Sequence, residues 1–182
     1  MKIRFIVIML LVLCQSGLVL AQHYTPVEQS SVIQFKVEHQ MIFKSTVTGT
    51  FTGLKGTIAF DPNDLAASSF RVSVAVETIN SGIGMRDNHL KKDEYFDAQK
   101  YPLISIKSQS ITRGAHDGAY IFSGTLTLKG ITKSISFPFA AKPLDGGYEF
   151  KGSFELNRLE YNVGPDNSID KNVEVDLSVL AR

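Results

Sequence analysis

The sequence predicts an all-β protein, an extended eight-stranded antiparallel β-barrel with a short helical excursion at one end. Three observations carry this. Apolar and polar residues alternate with a period of two through most of the chain after residue 30, as half-buried strands require. Glycine, proline, aspartate and asparagine clusters interrupt the alternation at short intervals, as turns between strands do. One stretch, RDNHLKKDEYFDAQKYP at 86–102, breaks the pattern with dense charge. A two-sheet sandwich accommodates the alternation as well. Glycines inside strands, which suit the bends of a curving wall, and one excursion rather than several loops favour the barrel.

The first residues stand outside that fold. Lys2 and Arg4 precede an apolar run over 5–13, too short to span a bilayer. Val19, Leu20 and Ala21 then form a small-residue cleavage pattern. Residues 1–21 read as a secretory signal peptide cleaved near Ala21, and 22–182 as one domain. Cys14 is the single cysteine and leaves with the signal, so the mature chain has no disulfide, thiol nucleophile or cysteine metal site. Leu13 is too bulky to precede a lipobox cysteine. The whole chain holds 19 basic and 18 acidic residues, with no basic block of the kind nucleic acid demands. No second apolar run reaches membrane-spanning length, so a soluble exported protein is expected, periplasmic or secreted.

Taken in order, 31–39 alternates Ile33, Phe35, Val37 and His39 against Gln34, Lys36 and Glu38. The stretch 47–60 repeats this with Gly49, Gly53 and Gly56 as bends, and Asp61-Pro62-Asn63 ends it in a turn. Phe70, Val72, Val74 and Val76 share the face of the next strand. The charged excursion follows, with Leu90, Tyr95 and Phe96 at spacings a short helix places on one side. Tyr101-Pro102 closes it, because the residue before a proline is pushed out of helical geometry. Strands resume at 103–110 and 120–128. Lys129-Gly130 forms a tight hairpin turn, and Ile135, Phe137 and Phe139 face inward beyond it. Pro138 demands an outward or edge position. After the turn at Asp145-Gly146-Gly147, Tyr148, Phe150, Phe154 and Leu156 alternate with polar residues, as do Val173, Val175, Leu177 and Val179.

Several stretches together resemble the YceI-like family of lipid- or polyisoprenoid-binding proteins. They are SVIQFKVEH at 31–39, VTGTFTGLKGTIAFDP at 47–62, RDNHL at 86–90, YFDAQKYPLISIKS at 95–108, GTLTLKGITKSISFPF at 124–139 and FELNRLEYNVG at 154–164. The RDNHL element followed by KYP is the specific part. The resemblance covers essentially the whole mature chain. It implies a lipocalin-like barrel around an apolar tunnel, a long isoprenoid-type ligand and export to the periplasm. The sequence departs from the family at Gln40-Met41-Ile42-Phe43, where a glycine is common, and at Leu54 and Ile106, where phenylalanine is frequent.

The inward-facing set then supplies a tunnel wall: Phe35, Val37, Phe51, Phe60, Val74, Val76, Leu90, Phe96, Ile104, Ile106, Phe122, Leu126, Phe137, Phe139, Phe154 and Leu156. From the residues alone these side chains either line a tunnel or fill the barrel; the resemblance favours the tunnel. His39, Arg86, Asp87 and His89 are head-group candidates at a barrel mouth, where Arg86 suits a phosphate through forked hydrogen bonds. The competing reading pairs Arg86 with Asp87 or uses Asp87 to cap the helix. His23, His39, His89 and His116 are too scattered for a metal site, and no cofactor is expected. The chain lacks the motifs of a nucleophile elbow, a zinc protease or a phosphate loop. The expectation is therefore a non-catalytic binding protein for a long-chain isoprenoid or other amphiphilic lipid, serving sequestration or transport. Two alternatives stand beside it: a hydrolase or isomerase using His89 and Asp87 on a lipid in the same tunnel, and a structural or interaction module with a filled core. A homo-oligomer is left open.

Overall fold

The computed structural model describes residues 22–39 and 45–182; the expected signal peptide and Gln40 to Phe43 lie outside the described residues. The strands are β1 (His23–Tyr24), β2 (Val32–His39), β3 (Ser45–Phe51), β4 (Lys55–Ala59), β5 (Ser69–Ala75), β6 (Leu103–Arg113), β7 (Ala119–Leu128), β8 (Ile131–Leu144), β9 (Gly147–Asn157) and β10 (Ile169–Ala181). One helix, α1 (Gly84–Leu90), lies between β5 and β6. The strands form a single curled antiparallel sheet in the order β1-β4-β5-β6-β7-β8-β9-β10-β2-β3.

Ten strands replace the eight expected, for two local reasons. The stretch 47–60 is two strands, because the backbone turns at Thr52-Gly53-Leu54, where Gly53 takes a φ of 71°. The added β1 has two residues, too short to show an alternation. It matters nonetheless, because β1 pairs with β4 while Thr25 and Val27 donate to the carbonyls of Arg182 and Leu180 at 2.6 and 2.7 Å. The segment 23–27 thereby stitches β4 to the end of β10 and closes the sheet there. Toward α1 the closure is lighter: Thr50 and Asn80 exchange backbone hydrogen bonds of 2.8 and 2.9 Å between β3 and the segment after β5.

The excursion is also less helical than its charge pattern predicts. Gly82 (φ 80°) and extended Ile83 set the start of α1 at Gly84, and the helix ends after one and a half to two turns at Leu90. Residues 91–101 then fold as turns. Phe96 donates to the carbonyl of Leu90, and Asp97, at a φ of 51°, donates to that of Lys92. A turn rather than a helical face thus brings Leu90 and Phe96 together over the sheet. Lys129 (φ 48°) and Gly130 (φ 75°) form the expected tight hairpin between β7 and β8.

The strand faces alternate as anticipated. In β7 every second residue from Tyr120 to Leu128 is buried. Pro138 is exposed on the outer surface of β8. It is tolerated in a strand central to the sheet because pairing with β9 ends beside it, at Phe139↔Gly152. Below that point the stacked rings of Phe137 and Phe154, with centroids 4.9 Å apart, bridge the two strands instead.

Candidate functional site

The interior divides into two regions. Around the end closed by β1, aromatic rings fill the space. Phe60 is 1% exposed and makes edge contacts with Phe70, Tyr120, Phe139, Tyr148 and Phe150 at centroid distances of 5.0 to 6.4 Å. Phe122 stacks on Phe137 at 4.8 Å. Such rings each remove a large apolar area from water and fix their neighbours' geometry.

Toward α1 the interior is hollow. A cavity of about 340 Å³ lies between the walls. Ile33, Phe35 and Val37 of β2 line it with Val47 and Phe51 of β3 and Leu54 just beyond. Val72 and Val74 of β5, Ile104 and Ile106 of β6, and Leu126 and Leu128 of β7 continue the wall. Phe154 and Leu156 of β9 and Val173, Val175 and Leu177 of β10 complete it, while Leu90, Tyr95 and Phe96 of the excursion cover it. Gly49 is required here: it sits opposite Phe35 in the ladder, and a Cβ would come within 2.2 Å of the Phe35 ring.

Of the residues singled out from the sequence, Phe35, Val37, Phe51, Val74, Leu90, Phe96, Ile104, Ile106, Leu126, Phe154 and Leu156 border this cavity. Phe60, Val76, Phe122, Phe137 and Phe139 are buried away from it. Sequence reasoning passed over Ile33, Val72, Leu128, Val173, Val175 and Leu177 as wall residues, although their alternation was plain, and also Val47 and Leu54. Tyr95, Arg158, Val163 and Ile169 also border the cavity; Tyr95 was read on one side of the excursion with Leu90 and Phe96 but not as wall, Arg158 and Val163 lie in an irregular segment with no period to reveal an inward face, and Ile169 opens β10 ahead of the stretch that alternates.

The polar groups sort by what they already hold. Arg86 borders the cavity and grips Ser81, its Nε donating to Ser81 Oγ at 2.8 Å and Nη2 to Ser81 O at 2.5 Å. Among the described residues its Nη1 makes no hydrogen bond, so that nitrogen is free to meet an anion. Asp87 accepts from the Ser81 hydroxyl, and from the Ser81 N–H at 2.8 Å. Those bonds, led by the hydroxyl, with the positive charges of Arg86 and Lys91, hold its carboxyl below the ordinary range despite partial burial. Asp87 does not border the cavity; it braces the loop before α1. His89 is exposed, 3.8 Å from Glu94 and edge-on to Tyr95, and also lies off the cavity. His39 borders it, with Nε2 2.9 Å from Ser168 Oγ.

Arg158 is 5% exposed and its cation has no carboxylate partner at hydrogen-bond distance among the described residues. Instead it donates to the carbonyls of Asp170, Val163, Pro165 and Ile169 and to Asn167 Oδ1. All five guanidinium N–H groups are thereby used. Burial pushes its pKa down from the ordinary arginine value. It ties the 163–170 loop over the cavity end and has no donor left for a ligand. Lys129 reinforces that end by donating to the carbonyls of Glu94 and Asn162. No group of three or more metal-ligating side chains occurs among the described residues, and none of their helices is long and apolar enough to cross a membrane.

With this geometry in place, the comparisons with known proteins decide the family. The YceI-like domain model matches residues 24–181. The chain belongs to the YceI-like domain family. A UPF0312 protein of Photorhabdus laumondii is 27% identical over 157 residues, covering 83% of this chain and 79% of that one. Protein YceI of Escherichia coli O157:H7 is 27% identical over 164 residues, covering 83% and 80%. Among solved structures, Burkholderia cenocepacia BcnA superposes with a TM-score of 0.79 at 24% identity, covering 86% of this chain and 99% of BcnA. A polyisoprenoid binding domain from Saccharophagus degradans gives 0.71 at 17% identity, covering 90% and 98%. At these identities the superpositions establish the shared fold of the YceI-like domain.

Proposed function

We propose that this YceI-like protein is an exported, non-catalytic lipid carrier. It holds the tail of an isoprenoid or similar amphiphilic lipid in the hollow half of its barrel, for sequestration or transport. The observation that carries the reading is the cavity of about 340 Å³ with a wall almost wholly of apolar side chains. About eleven methylene-sized groups at roughly 0.8 kcal/mol each supply about 9 kcal/mol. That corresponds to roughly micromolar binding before ordering costs. The polyisoprenoid-binding relative supports the isoprenoid class of tail. Arg86, with Nη1 uncommitted among the described residues, and His39 are the head-group contacts, favouring a phosphate or another anion. Asp87 and His89 stand off the cavity wall, which argues against their use as an acid–base pair on a bound lipid. Residues 1–21 act as a cleaved signal peptide that delivers the domain 22–182 to the periplasm.

Native mass spectrometry of protein purified without detergent and mixed with prenyl phosphates tests this. One lipid per chain is expected, lost in Leu156→Asp, which places a carboxylate on the cavity wall. Retention of lipid by a folded Leu156→Asp variant contradicts the site. N-terminal sequencing of the exported protein is expected to begin at Gln22.

A further inference from the structure

The hollow and filled halves meet at a stop. Beyond the large cavity lies a second void of about 40 Å³ inside the aromatic half. The two are bordered in common only by Leu54, Val72, Ile106 and Leu177. These four come from the β3–β4 link, β5, β6 and β10, and Phe122 of β7 and Phe150 of β9, which border the smaller void, complete the ring around the interior on the remaining side. Behind the four stand Phe70, Phe122 and Phe150, all buried, with the Phe70 ring in contact with Phe122 at 6.3 Å and with Phe150 at 5.2 Å. The Phe122 ring lies over Gly124, where a Cβ would sit 2.8 Å from it. A chain longer than the cavity meets these rings and cannot pass without displacing them, since the void among them holds only about 40 Å³.

We infer that this ring of residues is a molecular ruler, and that the protein takes a single acyl or prenyl chain of about a dozen carbons rather than a long polyisoprenoid in full. The inference rests on the lipid-binding reading above and names the length of that ligand. A methylene occupies about the space of a water in the liquid, about 30 Å³. The 340 Å³ cavity then holds about eleven carbons, two isoprene units and a fraction of a third. A longer polyisoprenoid enters by its terminal units, and its remainder stays outside the α1 end without adding affinity.

The test is a chain-length series measured by titration calorimetry: prenyl phosphates of increasing unit number in one arm, n-alkyl phosphates in the other. Affinity should climb about fourfold per methylene until roughly a dozen carbons, then stay level. Leu177→Ala removes three carbons from the ring and joins the 40 Å³ void to the cavity. It should move the break outward by roughly four carbons. Ile106→Ala should move it the same way, and a thermal melt confirms that each variant is folded. A break at the same carbon count in either arm supports the ruler. Affinity that keeps climbing through four isoprene units, or a break that stays put in both folded variants, overturns it while leaving lipid binding intact. Absence of binding at every length overturns the lipid reading itself, and the ruler with it.

Discussion

The two halves of this barrel use the same strand pattern for opposite ends. Around Phe60, inward-facing side chains are aromatic and meet across the interior. Around Val37, Val74 and Leu126 they are mostly aliphatic, stop short of one another and leave about 340 Å³ unfilled. The difference teaches that alternation decides which way a side chain points, while side-chain reach across the barrel decides whether the interior closes. Stability and binding are therefore expected to separate along the barrel axis.

Substitutions measure that separation. The largest effect is expected in the filled half: Phe60→Ala should cost about 3–5 kcal/mol in chemical denaturation. Leu156→Ala, by contrast, enlarges a void that already exists and should cost about 1 kcal/mol while weakening lipid binding several-fold. Equal stability losses at the two sites would erase the distinction.

Arg158 guards the end of the hollow half and should come next. Arg158→Lys replaces five donors with three and leaves buried carbonyls of the 163–170 loop unpaired, at about 2–3 kcal/mol. Arg86→Ala should cost about 1–2 kcal/mol of stability, because it removes two bonds to buried Ser81, and should weaken a phosphate-headed lipid by about tenfold, as a charge-assisted hydrogen bond of roughly 1.5 kcal/mol implies. Its binding to the corresponding alcohol should barely change, so equal losses for both head groups would remove Arg86 from the contact.

The smallest effect is acid-dependent. The carboxyl of Asp87 titrates lower in the folded protein than in the unfolded chain, so its contribution is complete above the unfolded value of about 3.9. It is lost as pH falls through the lower folded value. Exchange protection of the Ser81 amide, which donates to Asp87 at 2.8 Å, should hold at neutral pH and fall only below about pH 4. In Asp87→Asn that protection should be weaker throughout and lack the acid step.

The strands, their inward faces and the β7–β8 hairpin were legible in the sequence because each depends on neighbours in the chain. The two-residue β1 was not, since it shows no alternation and owes its existence to β4 and the end of β10. The excursion was legible as an interruption, but Asp97 at positive φ turned its second half away from helix. About a third of the cavity wall was named from alternation. What alternation could not separate was Phe122 from Leu126, both inward on β7, one against Phe137 and the other facing open space. That choice is made by residues on other strands. Arg158 escaped for a related reason: its five acceptors lie five to twelve positions further along the chain and meet only once the loop folds back.

The most direct test of the two-halves account is a crystal structure with an n-alkyl phosphate bearing bromine on its terminal carbon. The account predicts one anomalous peak in the hollow half, against Leu54, Val72, Ile106 and Leu177, with the phosphate beside Arg86. Bromine among the rings around Phe60, or on the outer surface with the cavity empty, would contradict it.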